Sequence, residues 1–291
     1  MTTATAARSG KTHLDENFPV ASWLLSKRYR RPILAFYRFA RAADDIADHP
    51  MLLPDDKLAL LDGLGVALSG KGSSDPEAEP LRVALDDHGL APRHAYDLLE
   101  AFRLDVRKDR YASWQDLMDY CRLSAMPVGR FVLDVHGEDP ASWQTSDPLC
   151  AALQVINHLQ DCASDYRRLD RVYLPLDMLA AHGAAPEMLA ESRSPPALLR
   201  TIRELARQTS ALLCDAAPLS RQVRDVRLSL EIAAIQTLAE HLVHRLATRD
   251  PLSQSVHLGK LGFAALGGRG IVRGFSAILA RSLVPSRNFR R

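Results

Sequence analysis

An all-α fold is predicted for this 291-residue chain by three features of its sequence. There are 45 Leu and 40 Ala against 32 β-branched residues (15 Val, 8 Ile, 9 Thr), and Leu and Ala favour helices where Val, Ile and Thr favour strands. Turn signals recur every roughly two to five helical turns, with apolar residues at helical spacing between them. No strand–turn–helix alternation and no repeat of about 20–50 residues is visible. The balance of 47% hydrophobic and 25% charged residues is that of a globular protein and excludes collagen-like and disordered classes. Together these predict a single domain of about nine to eleven helices, several of them apolar on more than one side, enclosing a cavity.

Pro32 opens a helix running to Asp48, with Pro50 and Pro54 beyond it. Pro54-Asp55-Asp56 starts the next, because proline suits the first helical position and acidic side chains suit a helix N-terminus. That helix ends at the loop 70-GKGSSDP-76. Segments 77–88, 93–108, 114–137 and 147–170 follow as helices. Pro175 begins a short piece and Pro195-Pro196 a longer one to Ala217. In 222–248, Val223, Val226, Leu230, Ile235 and Leu238 form one apolar face. Trp23, Trp114 and Trp143 read as packing or helix-start anchors. Residues 1–15 are expected to be a flexible N-terminus, 16–284 the domain and 285–291 a basic tail.

Net charge is only +2, but from residue 251 onward there are 7 Lys/Arg and no Asp or Glu, leaving 30 basic against 35 acidic residues before it. Such a basic, partly apolar end points to an anionic surface and away from nucleic acid. Between His257 and Arg281, Leu261, Phe263, Leu266, Ile271, Val272, Phe275, Ile278 and Leu279 alternate with Lys260, Arg269, Arg273 and Arg281. This segment reads equally as a membrane-facing element or as a terminal helix docked on the core, and Gly267, Gly268, Gly270 and Gly274 weaken a long helix there. The four cysteines are widely spaced and read as buried, reduced residues. The N-terminus lacks a signal-peptide core, and no apolar run reaches the roughly 18–20 residues that span a bilayer. A cytoplasmic protein, peripheral to the inner face of the cell membrane, is expected.

Two helices carry an unfavourable pattern. In 36-FYRFARAADDIAD-48, Asp44 and Asp48 stand four apart and so share a face. Like charges at this spacing destabilise a helix by roughly 0.2–0.5 kcal/mol. In 154-QVINHLQDCASDYRR-168, Asn157, Asp161 and Asp165 repeat the arrangement over three turns. A hard divalent cation resolves such repulsion: Mg²⁺ takes oxygen ligands, commonly one or two carboxylates with substrate phosphates. Facing pairs could hold two or three Mg²⁺ and a diphosphate, whose departure as a neutralised leaving group needs no protein nucleophile. Arg41 and Arg38, one and two turns before Asp44, lie near that face and are read as substrate-binding, in reach of diphosphate oxygens. The competing reading is a solvated face paired with Arg38, Arg41, Arg167 or Arg168. His241 and His244 share a face but lack a third ligand.

The chain resembles the squalene/phytoene synthase family of head-to-head prenyl transferases from about Asn17 to Val284. The matching pieces are RxxDDxxD at Arg41–Asp48, YCxxxAxPVG at Tyr120–Gly129, and the run from Asn157 through Tyr173 to Pro175. The start 16-ENFPVASWLL-25 is similar to the hydroxysqualene synthase branch of the bacterial hopanoid route. The resemblance implies an isoprenoid synthase fold. It further implies Mg²⁺-dependent ionisation of presqualene diphosphate, with rearrangement and water capture giving hydroxysqualene, and no NADPH. Carried over by position, Asp44, Asp48, Asn157, Asp161 and Asp165 are metal ligands and Arg41 contacts diphosphate. Asn17, Phe18, Tyr37, Tyr120, Val128, Gly129, Gln154 and Tyr173 bind substrate or line the cavity, and Asp45 lies behind the ligands. Glu16, Asn17 and Tyr120 are candidates for activating water. Met126 departs from the Asn usual in relatives, and Gln160 replaces an arginine or other polar residue of some relatives. Alternatives are condensation of two farnesyl diphosphates, and a non-catalytic membrane assembly factor. Enzymes before and after it in a squalene pathway are the implied partners.

Overall fold

The computed structural model describes residues 24–283 and is helical throughout. Twelve α-helices occur among the described residues: α1 Lys27–Ala47, α2 Pro54–Leu68, α3 Ala78–His88, α4 Arg93–Arg107, α5 Trp114–Ser124, α6 Met126–Val135, α7 Trp143–Leu169, α8 Leu176–Ala181, α9 Pro196–Ala216, α10 Leu219–Gln222, α11 Val226–Thr248 and α12 Lys260–Leu283. No strand is present among these residues, only an isolated bridge between Arg110 and Val172.

The stops and starts follow local chemistry. Pro54 opens α2 with Asp55 and Asp56 in its first turn, as read from the sequence. Ser113 caps α5 by accepting from the Asp116 N–H, and Asp225 caps α11 by accepting from Arg227 and Leu228. Trp114 and Trp143 are the first residues of α5 and α7. Three boundaries differ from expectation. Helix 114–137 is broken at Ala125, because Pro127 in the first turn of α6 cannot continue the hydrogen bonding of α5. Prolines 32 and 148 lie inside α1 and α7, which begin more than a turn before them.

α1 buries Ile33, Phe36, Phe39 and Ile46, with the Phe36 ring stacked 4.0 Å from Phe131 of α6. Each such burial stabilises by about 1.5–3 kcal/mol, enough to hold the helix against its aspartate pair. α7 is the central element, packed by α5, α6, α9 and α11, while α1 packs on α2, α3, α4 and α6. The buried apolar residues of these helices form one continuous cluster.

Gly129 sits at the α6–α7 crossing. A Cβ there would overlap Cys150 Sγ and come within 2.5 Å of Ser146 Oγ. Its role is therefore close helix approach, and it does not line the cavity as the sequence suggested. Gly129→Ala is expected to destabilise the protein by about 1–3 kcal/mol, read as a lower urea midpoint at unchanged slope.

The glycine-rich end also differs from expectation. α12 is a 24-residue helix, seated on α11 because Gly270 and Gly274 allow close contact. A Cβ on Gly270 would lie 2.6 Å from Ala234 Cα, and one on Gly274 2.9 Å from Ala233 Cβ. The same helix turns Leu261, Val272 and Phe275 outward. No helix among the described residues is long and apolar enough to cross a membrane. Cys121 and Cys162 are buried, but Cys214 is exposed, against the sequence reading; none of the four is paired.

Candidate active site

α1, α4, α5, α6 and α7, with the segment after α7, enclose an open cavity of about 430 Å³. From the α1 side come Tyr37, Ala40, Arg41, Asp44 and Asp48, which at 100° per residue share an arc about 100° wide. Gln154, Asn157, His158, Asp161, Asp165 and Leu169 come from α7, again on one face. Phe102 and Asp105 of α4, Tyr120 and Ser124 of α5 and Val128 of α6 complete the wall. The two carboxylate motifs, far apart in sequence, thus line one cavity.

Among the residues read from sequence, Arg38 does not reach it. It lies about 120° around the helix from Asp44 and is exposed. Gly129 is at the helix crossing described above. Asn17 and Phe18, with Glu16, lie outside the described residues. Asp45 is buried and pairs with Arg41 at 3.1 Å, behind Asp44, which Arg41 meets at 3.0 Å. Gln160 is buried away from the cavity, its amide donating to the Val256 carbonyl.

Three ionisable residues of the cavity were not singled out in the sequence, Asp105, His158 and Arg171. They come together because α7 stops at Asp170 in the left-handed conformation (φ 50°). The chain then reverses and pairs with residues 109–112, Val172 N–H donating to Asp109 and Leu176 N–H to Tyr111. Alternation along this extended stretch sends Arg171 and Tyr173 to the same side. Arg171 Nη1 lies 2.5 Å from Asp48 Oδ1. Asp105 accepts hydrogen bonds from Tyr120 at 2.8 Å and Tyr173 at 3.1 Å. The His158 ring stacks on Tyr173 at 3.5 Å. Burial, then the charge of Arg171, pushes His158 down to about 3, so it is neutral at physiological pH.

Negative charge is crowded. Burial, then Asp48, raises Asp44 to about 7 against the opposing Arg41. Burial, Asp161 and Asp48 raise Asp165 to about 7. Burial brings Asp105 to about 6, with Arg171 opposing. On α7, Asp161 lies 3.3 Å from His257 Nε2. Asp44, Asp48, Asn157, Asp161 and Asp165 offer oxygen donors only, a set that suits a hard divalent cation. Among the described residues no three acidic, His or Cys side chains converge tightly enough to hold an ion alone. Any ion here therefore needs further oxygens from water or a bound phosphate.

An acid whose folded pKa is raised makes the native state bind more protons between its unfolded and folded values, so stability falls as pH rises from about 4 to about 7. Without divalent cations at pH 8, Asp165→Asn or Asp44→Asn is expected to raise Tm by about 2–4 °C. The gain should shrink towards pH 5 in the same thermal scans.

The all-helical architecture and paired aspartates at one cavity define a class, the helical synthases that act on prenyl diphosphates. A family model for squalene/phytoene synthase matches residues 11–261, and the chain belongs to that family. It is 57% identical over 263 residues to a hydroxysqualene synthase of Rhodopseudomonas palustris, covering 90% of each chain. It is 53% identical to a hydroxysqualene synthase of Sinorhizobium fredii, covering 90% of this chain and 89% of that protein. The crystal structure of squalene synthase HpnC from Alicyclobacillus acidocaldarius is similar at TM-score 0.69 and 31% identity, covering 78% of this chain and 86% of that one.

Proposed function

We propose that the protein is a hydroxysqualene synthase: it ionises presqualene diphosphate and captures the rearranged cation with water. The observation that carries this reading is the meeting of Asp44 and Asp48 with Asn157, Asp161 and Asp165 around one cavity, in a chain over half identical to bacterial hydroxysqualene synthases. Those five residues would hold two or three Mg²⁺, which neutralise the charge developing on the leaving diphosphate. Arg41 stands one turn from Asp44 and faces the same diphosphate. Tyr37, Phe102 and Val128 give the hydrocarbon an apolar wall. Tyr120, Tyr173 and neutral His158 turn aromatic groups towards the cation, which a neutral ring stabilises and a charged imidazole would repel. The reaction consumes water and no reductant, so NADPH has no part in it.

A peripheral membrane contact belongs to the same proposal, at the inner face of the cell membrane. α12 exposes Leu261, Val272 and Phe275 beside Arg269 and Arg273, the pattern of an apolar face flanked by cations. There the protein would meet the enzymes that make its lipid substrate and consume its product.

The test is product analysis by gas chromatography–mass spectrometry with Mg²⁺ and no NADPH. Hydroxysqualene from presqualene diphosphate, abolished by EDTA, is the expected result. Presqualene diphosphate formed from farnesyl diphosphate would assign the preceding condensation instead. No turnover of either substrate would leave a non-catalytic role.

A further inference from the structure

We propose that Asp105 is a positioning residue for water capture: it takes the hydroxyl hydrogens of Tyr120 and Tyr173, so that both phenols face the cavity as acceptors. The inference rests on the function proposed above.

Asp105 belongs to neither carboxylate motif and is 8% exposed. Its oxygens are divided, Oδ2 accepting from Tyr120 at 2.8 Å and Oδ1 from Tyr173 at 3.1 Å. A phenol has one hydrogen to donate, and here each has given it to the carboxylate. The two rings are fixed, with centroids 5.6 Å apart and Tyr173 held between His158 at 3.5 Å and Tyr111 at 5.4 Å. Both tyrosines line the cavity. What they can still offer there is an oxygen lone pair.

This polarity orients water. A water molecule bound to the phenol oxygens donates its own hydrogens and turns a lone pair towards the carbocation. A phenol O–H aimed into the cavity would engage that lone pair and withdraw it. In the reaction the substrate C–O bond breaks with its electron pair leaving on diphosphate. The lone pair of water forms the new C–O bond, and the proton of the resulting oxonium passes to the released diphosphate. The competing outcome is loss of a proton from a carbon beside the cation, which gives a hydrocarbon with one more double bond and the same diphosphate.

Asp105→Asn keeps the shape and reverses half of the pattern. The amide has one acceptor and one donor group, so one phenol must accept from the NH₂ and turn its hydrogen elsewhere. The experiment compares wild type, Asp105→Asn, the double variant Tyr120→Phe/Tyr173→Phe, and the three changes together, all full length, with presqualene diphosphate and Mg²⁺. Diphosphate release and the hydroxysqualene share of products are measured side by side. The expected result is a share lowered by about threefold to tenfold in Asp105→Asn, with elimination hydrocarbons making up the balance. The double Phe variant should show the same shift, and adding Asp105→Asn to it should change the share no further, because the residues act as one unit. An unchanged share with a slower overall rate would overturn the proposal, as would a further shift in the triple variant. Where Asp105→Asn does not fold, an unchanged share in the double Phe variant overturns it alone. A wild type that makes no hydroxysqualene overturns the functional reading and this inference together. A productive wild type beside an unchanged Asp105→Asn ratio overturns only the inference.

Discussion

Asp44→Asn and Asp161→Asn are each expected to lower turnover of presqualene diphosphate by about 10²–10³-fold while leaving the protein folded. The two carboxylates line the same cavity from different helices, so either change weakens the grip on a diphosphate whose charge grows as the C–O bond breaks. Asn keeps one oxygen and the side-chain volume but loses the negative charge a hard cation needs. Packing is not the reason for the loss, since Asp44 is one-third exposed on its side chain and Asp161 45% exposed. The measurement is kcat and KM over a Mg²⁺ series, with circular dichroism as the folding control. Wild-type turnover at limiting Mg²⁺ in either variant would sink the metal assignment.

Arg171→Leu should instead damage the fold. Arg171 is 8% exposed, pairs with Asp48 at 2.5 Å and donates to the Ala47 carbonyl at 3.4 Å. Its charge also holds Asp105 down against burial. Removing one partner of a buried pair costs about 3–5 kcal/mol. A smaller loss, about 2–3 kcal/mol, is expected here because the Asp48 side chain is 36% exposed and can be hydrated. Urea denaturation should show the loss, and it should be larger at pH 8 than at pH 5. Without Arg171 the Asp105 pKa rises above about 6, so the native state pays an ionisation penalty that appears as pH rises through that value. Arg171→Lys should recover part of the loss. An equal deficit at both pH values would mean that Arg171 acts through Asp48 and packing and not through Asp105.

The carboxylate helices were legible because their spacing is a local property. Asp44 and Asp48 share a face in any α-helix, and so do Asn157, Asp161 and Asp165. Asp105, by contrast, sits in 103-RLDVRK-108 among basic residues and reads as one more surface charge. Only the packing of α4 against α1 and α5 buries it. Arg171 follows Arg167 and Arg168, and nothing local distinguishes the one that turns inward; the left-handed Asp170 and the backbone pairing with 109–112 decide it. Gly129 shows the opposite error. Its place in a motif suggested contact with substrate, whereas its missing side chain serves a helix crossing. Pro127 did mark the break between α5 and α6, a boundary that the long apolar periodicity concealed.

The division of the carboxylates between α1 and α7 also sets an order of events during synthesis. At about 5–20 residues per second, Asp44 and Asp48 leave the ribosome several seconds before Asp161. During that interval Asp44 already has a counter-charge within its own helix, the Arg41 guanidinium three residues back. Asp48 meets its ion-pair partner Arg171 only 123 positions further along the chain, with Lys57 of α2 the earlier neighbouring charge. The nascent α1 therefore carries one half whose ion pair is local and one whose ion pair forms only after α7 has emerged and its exit segment has turned back beside α4.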